Sequence, residues 1–201
     1  FAAYTVQDDH VILYRLYGTG PVVEVPDRID GRRVEILADH LFADEMSVLC
    51  DSKQMLLAVQ KGSEWIKLEE GQTAASRSLL GQEALCGEKV GAVYIPEGVR
   101  QIGNYAFYGC TGLNSLHLPE GLQTIDYGAF VGCTGLTELT LPESLQTVEN
   151  YAFYGCANLT SIGIPSTVSA VGAYAFAGCT NVESLALSVG LKNIGDFAFA
   201  D

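Results

Sequence analysis

Basic residues are scarce in this chain of 201 residues, which has 11 Lys and Arg against 24 Asp and Glu and a formal net charge of −13 at pH 7. Arg32 and Arg33 are the only adjacent basic pair, so no positive stripe is available to a phosphate backbone. The same shortage argues against binding to an anionic membrane surface. We therefore expect no nucleic-acid partner, and the acidity mainly favours solubility.

Long apolar runs, histidine clusters and closely spaced cysteines are also lacking. No run approaches the roughly 18 apolar residues that cross a bilayer, so we expect no membrane insertion. The hydrophobic fraction of 48% nevertheless indicates a folded chain with a sizeable core. The three histidines are dispersed and no cysteine pair has zinc-ligand spacing, so neither a metal site nor a nucleophile beside a base is indicated. We expect no catalytic residue, metal or cofactor.

What the chain does contain is an internal repeat of 23 residues. Residues 118–140 (LPEGLQTIDYGAFVGCTGLTELT) and 141–163 (LPESLQTVENYAFYGCANLTSIG) are copies of one unit. The recurring positions are proline (Pro96, Pro119, Pro142 and Pro165, then Ser188), phenylalanine (Phe107, Phe130, Phe153, Phe176 and Phe199), an aliphatic residue (Ile102, Ile125, Val148, Val171 and Ile194) and cysteine (Cys110, Cys133, Cys156 and Cys179).

The spacing within one unit predicts a strand and a tight turn. Leu139 and Leu141 point to the same side of a strand, which Pro142 should end because it cannot donate to a ladder. The Ala-Phe-x-x-Cys spacing suits one turn of α- or 3₁₀-helix that faces inward. One unit cannot bury its own apolar side, so stacked units should form a right-handed solenoid. We predict a parallel sheet on one face and short α/3₁₀ turns on the other.

The pattern loosens toward the N-terminus. Residues 80–87 are an imperfect copy of 102–109, with Leu85 in the phenylalanine column, and Cys86 therefore falls outside the cysteine series. Further upstream, 23–26 and 36–42 match the strand and phenylalanine elements, separated by an insertion around 30–33. Residues 48–59 (VLCDSKQMLLAV) predict a hairpin.

No linker divides the chain, so we expect a single domain over 1–201. Irregular repeats with a hairpin insert should occupy 1–78, and regular repeats 79–201. The sequence stops at Asp201, just before the position where the next cysteine would fall, with no polar cap after it. Because solenoids need capped ends, we expect the natural protein to continue with more repeats or another domain.

Leu-x-x-Leu-x-Leu-Pro followed by Ile-Gly-x-x-Ala-Phe-x-x-Cys resembles the BspA-like leucine-rich repeats, closely over 93–201 and more loosely over 11–92. The resemblance implies a leucine-rich-repeat fold and a secreted or cell-surface location on host-associated bacteria. It also implies adhesion or protein binding, with no enzymatic activity in the repeats.

The cysteine column has three interpretations. Buried free thiols are favoured because free cysteine packs as a small hydrophobe. Disulfide bridges between stacked turns are an alternative, although parallel Cβ vectors disfavour the required dihedral. A metal site is the third. The states of Cys50 and Cys86 are left open.

The variable positions of the predicted sheet face are the candidate ligand-binding residues. Tyr94 and His117 are the obvious anchors, because interface hot spots favour large aromatic residues. The full set is Tyr94, Asn114, Ser115, His117, Thr137, Glu138, Thr140, Thr160, Ser161, Glu183 and Ser184. A solvated face without a ligand is the alternative. A second aromatic set (Tyr105, Tyr108, Tyr151, Tyr154 and Tyr174) is expected to pack between units rather than meet a partner.

The sequence thus favours a non-catalytic, extracellular binding or adhesion module whose repeat surface holds a protein or glycan, including one derived from a host. Two alternatives remain: a structural spacer, and the targeting arm of a larger surface enzyme.

Overall fold

The structure, a computed structural model, describes residues 2–16, 20–42, 56–61, 64–67 and 87–201. It contains one 3₁₀ helix in these ranges, Gly87–Lys89. The strands are β1 (Ala2–Gln7), β2 (His10–Leu16), β3 (Val22–Glu24), β4 (Arg28–Ile29), β5 (Arg32–Leu37), β6 (Leu56–Lys61), β7 (Glu64–Lys67), β8 (Ala92–Tyr94), β9 (Gln101–Ile102), β10 (Ser115–His117), β11 (Thr124–Ile125), β12 (Thr147–Val148), β13 (Ser161–Gly163), β14 (Ala170–Val171), β15 (Ser184–Ala186) and β16 (Asn193–Ile194).

Two parallel ladders run along the stack of turns, where the sequence predicted one. The face ladder joins the strands that precede the prolines: β3, β8 and β10 are neighbours, and β13 pairs with β15. The second ladder joins β5, β9, β11, β12, β14 and β16 in that order. In it Ile125 lies opposite Ile102 on one side and Val148 on the other. The 23-residue period is therefore confirmed as one turn of a β-solenoid.

The phenylalanine column forms the centre of the core, as predicted. Its rings stack from turn to turn, with centroids 4.8 Å apart at Phe107 and Phe130 and 5.1 Å apart at Phe153 and Phe176. These four side chains are at most 1% exposed. Since a buried phenylalanine side chain contributes roughly 1.5–3 kcal/mol through burial alone, this column is a major part of the apolar contribution of each turn.

The cysteine thiols form a second buried column. Cys110, Cys133 and Cys156 are 0% exposed and Cys179 is 6% exposed, and all four are free. Each Sγ lies close to a phenylalanine carbonyl oxygen of the preceding turn, at distances from 3.1 Å for Cys133 to 3.5 Å for Cys110. Burial raises the pKa of the last three thiols, that of Cys179 to about 11. Buried free thiols are thus confirmed for these four residues.

Stacked turns, rather than helices, follow the second ladder, and the predicted short helical turns are not confirmed. The Ala106 N–H donates to the carbonyl three residues earlier (3.3 Å), but the Phe107 N–H donates to the Ala129 carbonyl of the next turn (2.7 Å). Tyr105 and Gly109 have φ of 54° and 68°, in the left-handed region that interrupts a right-handed helix. Alternate amides therefore bond along the stack.

The N-terminal part contributes one turn of the same solenoid. Residues 22–42 stack directly on the following turn, because β3 lies beside β8 and β5 lies beside β9. Phe42 stacks on Phe107 at 4.8 Å and so extends the phenylalanine column. The predicted insertion around 30–33 is a tight hairpin between β4 and β5. Asp30 and Gly31 both have positive φ there, as a type I′ turn requires.

A long insertion divides this N-terminal turn. The Gly87 N–H donates to the Phe42 carbonyl at 3.1 Å. In the next turn the Cys110 N–H donates to the Phe107 carbonyl, also at 3.1 Å. Gly87 therefore holds the cysteine position of the turn. Residues 43–86 separate it from the phenylalanine position, where regular turns have two residues. The predicted alignment of Gly87 with Gly109 is thus wrong by one residue, because Gly87 corresponds to Cys110. An insertion within the turn, rather than a repeat that lacks one residue, explains the difference.

Additional strands extend the second ladder at its N-terminal end. β2 pairs in parallel with β5, whereas β1 pairs antiparallel with β2 and with β6, and β6 antiparallel with β7. The second apolar run of the predicted hairpin falls in β6. The first run of that hairpin, the copy at 80–86 with Leu85, and both Cys50 and Cys86 lie outside the described residues.

Candidate ligand-binding face

All eleven residues predicted to form the ligand-binding face are exposed. Exposure alternates along β13, where Ser161 and Gly163 are exposed while Ile162 between them is buried, whereas all three residues of β15 are exposed. Because neighbouring turns are in register, the exposed positions of successive strands form rows along one surface. We call this surface the binding face; its role in binding stays a prediction.

The two predicted anchors contact each other. Tyr94 lies opposite His117 in the pairing of β8 with β10, and their ring centroids are 5.6 Å apart with planes inclined at 36°. Tyr94 remains 47% exposed. The pair thus offers an aromatic edge at one side of the binding face.

The face ladder is interrupted between β10 and β13, a feature that the sequence did not predict. Residues 137–141 form no strand, and one backbone bond joins them to a neighbouring turn, from the Thr160 N–H to the Thr137 carbonyl at 3.1 Å. Their own amides donate to no acceptor in the described part of the chain. Turns on either side are paired normally, as in the bond from the Ile164 N–H to the Ala186 carbonyl (2.9 Å).

Two clefts flank the interrupted segment. The first cleft, about 450 Å³, lies between 114–118 and 137–142. The second cleft, about 390 Å³, lies between 139–141 and the turn that contains β13. Both volumes are within the range of ligand pockets. Hydroxyl, imidazole and carboxylate groups of the predicted binding residues line them, including His117, Thr140 and Ser161.

The interruption coincides with the one charged residue in its column. Glu138 occupies the position that other turns fill with Val22, Ala92, Ser115, Ser161 and Ser184. The Glu138 side chain is longer than serine and keeps its carboxylate in water. This charged residue in an otherwise uncharged column was the available sequence signal, and we predict that it causes the interruption.

Carboxylates without a basic partner line both clefts. Glu120 and Glu138 line the first cleft and Glu143 lines the second, whereas no lysine or arginine of the described residues lines either. Within the described ranges none of the three makes an ion pair; Glu143 accepts a hydrogen bond from the Ser166 hydroxyl at 3.2 Å. The described lining of both clefts is therefore negatively charged, with more polar groups in the first cleft and mainly apolar side chains in the second.

The second aromatic set lies on the turns that follow the second ladder. Three of its members belong to a longer column of rings whose neighbouring centroids are 5.0–5.4 Å apart. The column consists of His40, Tyr105, Tyr127, Tyr151, Tyr174 and Phe197. Tyr105, Tyr151 and Tyr174 thus pack between turns, as predicted. Tyr108 and Tyr154 contact this column at their edges but remain 48% and 42% exposed.

Metal-binding and membrane-spanning features are not found in the described ranges. No group of three or more His, Cys, Asp or Glu side chains there could hold a metal ion. The same ranges contain no helix that is long and apolar enough to cross a membrane.

The stacked turns with two parallel ladders define a solenoid repeat protein of about six turns. Residues 78–201 match, in six copies, the family described as "BspA type Leucine rich repeat region". The chain belongs to this family, which confirms the resemblance stated from its motifs. No curated protein matches the chain.

Solved bacterial structures share the fold. A leucine-rich-repeat protein of T. pallidum has a TM-score of 0.67 and 25% identity, over 96% of this chain and 82% of that one. A leucine-rich cell surface protein of Faecalibacterium prausnitzii A2-165 has a TM-score of 0.64 and 21% identity, over 92% of this chain and 37% of that one. A leucine-rich-repeat protein of Bacteroides ovatus has a TM-score of 0.61 and 22% identity, over 99% of this chain and 49% of that one. The chain thus spans less than half the length of the last two.

Proposed function

We propose that this chain is a non-catalytic binding module that acts outside the cell and holds a protein or glycan on the binding face. The observation that carries the proposal is the interruption of the face ladder, which leaves two clefts among the predicted binding residues. Leucine-rich-repeat proteins generally bind proteins, and this family is generally non-catalytic. The rigid stack beneath the face supplies preorganisation, which lowers the entropic cost of binding.

The proposal of an extracellular location is supported by similarity to a known protein rather than by the geometry of the binding face. The similar protein of F. prausnitzii is a cell surface protein. For this chain we propose the same location, on the cell surface or secreted, with ligands that include host proteins and glycans. Detection of the protein on intact cells by a protease-accessible tag would test it; protection of the tag until lysis would contradict it.

Substitutions that fill the clefts test the binding face. Panels of immobilised extracellular-matrix proteins and glycans would be probed with the wild-type chain and with Thr140→Arg and Ser161→Arg, whose exposed side chains line the clefts. We expect a ligand whose binding falls at least roughly tenfold in both variants, the scale of one lost buried contact. Gln123→Arg and Gln146→Arg, at exposed positions beside the second ladder, are matched controls and should bind as the wild type does.

Two outcomes would overturn the proposal. If all four variants bind equally, the ligand sits elsewhere on the solenoid. If the folded wild type binds no member of either panel, the alternative of a structural spacer is favoured. Thermal unfolding of each variant would show that a loss of binding is not a loss of fold.

A further inference from the structure

The column of stacked rings departs from the 23-residue period at one turn. Tyr105 and Tyr151 hold the regular ring position, and each follows an asparagine. In the turn between them the ring comes from Tyr127, one residue earlier, and Gly128 stands in the ring position. The backbone there is unchanged, since Gly128 has φ of 60° and Tyr151 has φ of 59°. A Cβ at Gly128 would lie 2.6 Å from Cε1 of Tyr105, so the Tyr105 ring uses the space that the glycine leaves.

The exchange places Tyr105 and Tyr127 in an arrangement that differs from the regular stack. Their ring centroids are 5.4 Å apart with planes inclined at 67°, whereas Tyr151 and Tyr174 are 5.0 Å apart and inclined at only 9°. The two hydroxyl groups are also close, because burial and then interaction with the Tyr127 hydroxyl raise the pKa of Tyr105. Tyr127 is 38% exposed. The two phenols therefore meet edge to face on the accessible side of the column.

This arrangement brings together the ring carbons that couple when phenols are oxidised. We propose that Tyr105 and Tyr127 form an oxidative modification site, at which hydrogen peroxide and a haem peroxidase join the two rings as dityrosine. Each phenol loses the hydrogen atom of its hydroxyl group, and the two phenoxyl radicals form a bond between the carbons ortho to the oxygens. The hydrogens on these carbons move to the oxygens as protons, which restores both aromatic rings.

The electrons and atoms of this step balance. The tyrosine pair is oxidised with the net loss of two hydrogen atoms, and one hydrogen peroxide molecule takes them up and is reduced to two water molecules. The product ties two adjacent turns of the solenoid by a carbon–carbon bond. The site lies on the turns that follow the second ladder, so this inference does not rest on the proposed function of the binding face.

Peptide mapping of the oxidised chain is the test. The folded protein, dilute enough to stay monomeric, would be treated with horseradish peroxidase and hydrogen peroxide, and the monomer would be isolated and cleaved after glutamate. Peptide 98–120 contains Tyr105 and Tyr108, whereas peptide 121–138 contains Tyr127 alone. We expect dityrosine fluorescence and a joined species of these two peptides, lighter than their sum by two hydrogen atoms.

Variants that remove one hydroxyl and keep the ring identify the partners. Tyr105→Phe and Tyr127→Phe should each lower the yield of the joined peptides at least roughly tenfold, because coupling requires two phenols held together. The column already contains Phe197, so phenylalanine fits it. Tyr108→Phe and Tyr154→Phe are matched controls that remove phenols exposed by 48% and 42%, and they should not lower the yield.

A double variant tests the arrangement rather than the number of tyrosines. Tyr127→Asn/Gly128→Tyr restores the order found at Asn150 and Tyr151 and keeps the tyrosine count. Its rings should stack in parallel, as those of Tyr151 and Tyr174 do, and the yield of joined peptides should fall at least roughly tenfold. Circular dichroism and urea unfolding would show that each variant is folded.

Four results would overturn the proposal. The first is the absence of joined peptides from the oxidised monomer, and the second is dityrosine confined to dimers. The third is a joined species of 121–138 with 150–183, which would make Tyr151 the partner of Tyr127. The fourth is an undiminished yield in the folded double variant, which would show that exposure and not the exchanged geometry determines coupling.

Discussion

Replacement of Phe153 by alanine is the most direct test of the core. The Phe153 ring is 0% exposed and lies between two others, with centroids 5.0 Å from Phe130 and 5.1 Å from Phe176 and planes within 5° of parallel. Truncation removes both contacts and leaves a cavity in the middle of the stack. Because the neighbouring rings are held by their own turns, the cavity should collapse little.

The expected loss follows from these contacts. Burial of one phenylalanine and the cavity left by its removal together cost about 3–5 kcal/mol. Each stacked aromatic neighbour adds about 0.5–1.5 kcal/mol beyond burial, and Phe153 has two, so the upper half of the range is expected. Because domains are stable by only about 5–15 kcal/mol, this single change should approach the limit of folding.

Urea unfolding followed by circular dichroism measures the change in the free energy of unfolding. Tyr154→Ala is the matched control: it truncates the adjacent aromatic residue, which is 42% exposed, and should cost less than about 1 kcal/mol. A loss below about 1 kcal/mol for Phe153→Ala would refute the assignment of the column to the core. A comparable loss in both variants would refute the reasoning from burial.

Three further predictions concern other residues. Burial raises the pKa of the Cys179 thiol to about 11, above the roughly 8.5 of an unfolded cysteine, so the unfolded state loses its proton first as pH rises. The free energy of unfolding should therefore fall between about pH 8.5 and 11, and Cys179→Ala should reduce that fall in urea titrations. Glu138→Ser should restore the face ladder and slow the hydrogen exchange of amides 138–140. The control Glu183→Ser, at a place where the ladder is intact, should leave that exchange unchanged. Equal exchange in both variants would contradict the role given to Glu138. The Tyr4 hydroxyl is buried without a hydrogen-bond partner in the described chain, so Tyr4→Phe should leave the free energy of unfolding unchanged or raise it by about 1 kcal/mol. A decrease of more than about 1 kcal/mol would show that the hydroxyl has a partner.

Sequence reasoning succeeded where a residue type recurs. The Phe and Cys columns follow from the 23-residue period, because residues at the same phase of a solenoid meet in neighbouring turns. The same reasoning placed Thr137, Glu138 and Thr140 on an exposed surface, since they flank the buried Leu139. Whether that surface binds a ligand is a separate question that periodicity does not address.

Sequence reasoning failed where local geometry decides. The spacing of Ala152, Phe153 and Cys156 fits a helical turn and a stacked turn equally well, and the deciding feature is the positive φ of Tyr151 (59°). Gly128, which takes the same place in another turn, was the available signal, because glycine favours that conformation. The second ladder escaped notice because strands of two residues, such as β11, carry no detectable alternation.

The divided N-terminal turn has a consequence for the order of folding. A regular turn needs only its neighbours in sequence, so an array of such turns can fold progressively from any point. The turn that contains Phe42 cannot close until Gly87 is available, and bringing these two residues together carries the entropic cost of closing the chain between them. We therefore expect the contiguous turns of 92–201 to nucleate first. During synthesis this turn would then be completed last, although its first residues leave the ribosome before those of 92–201.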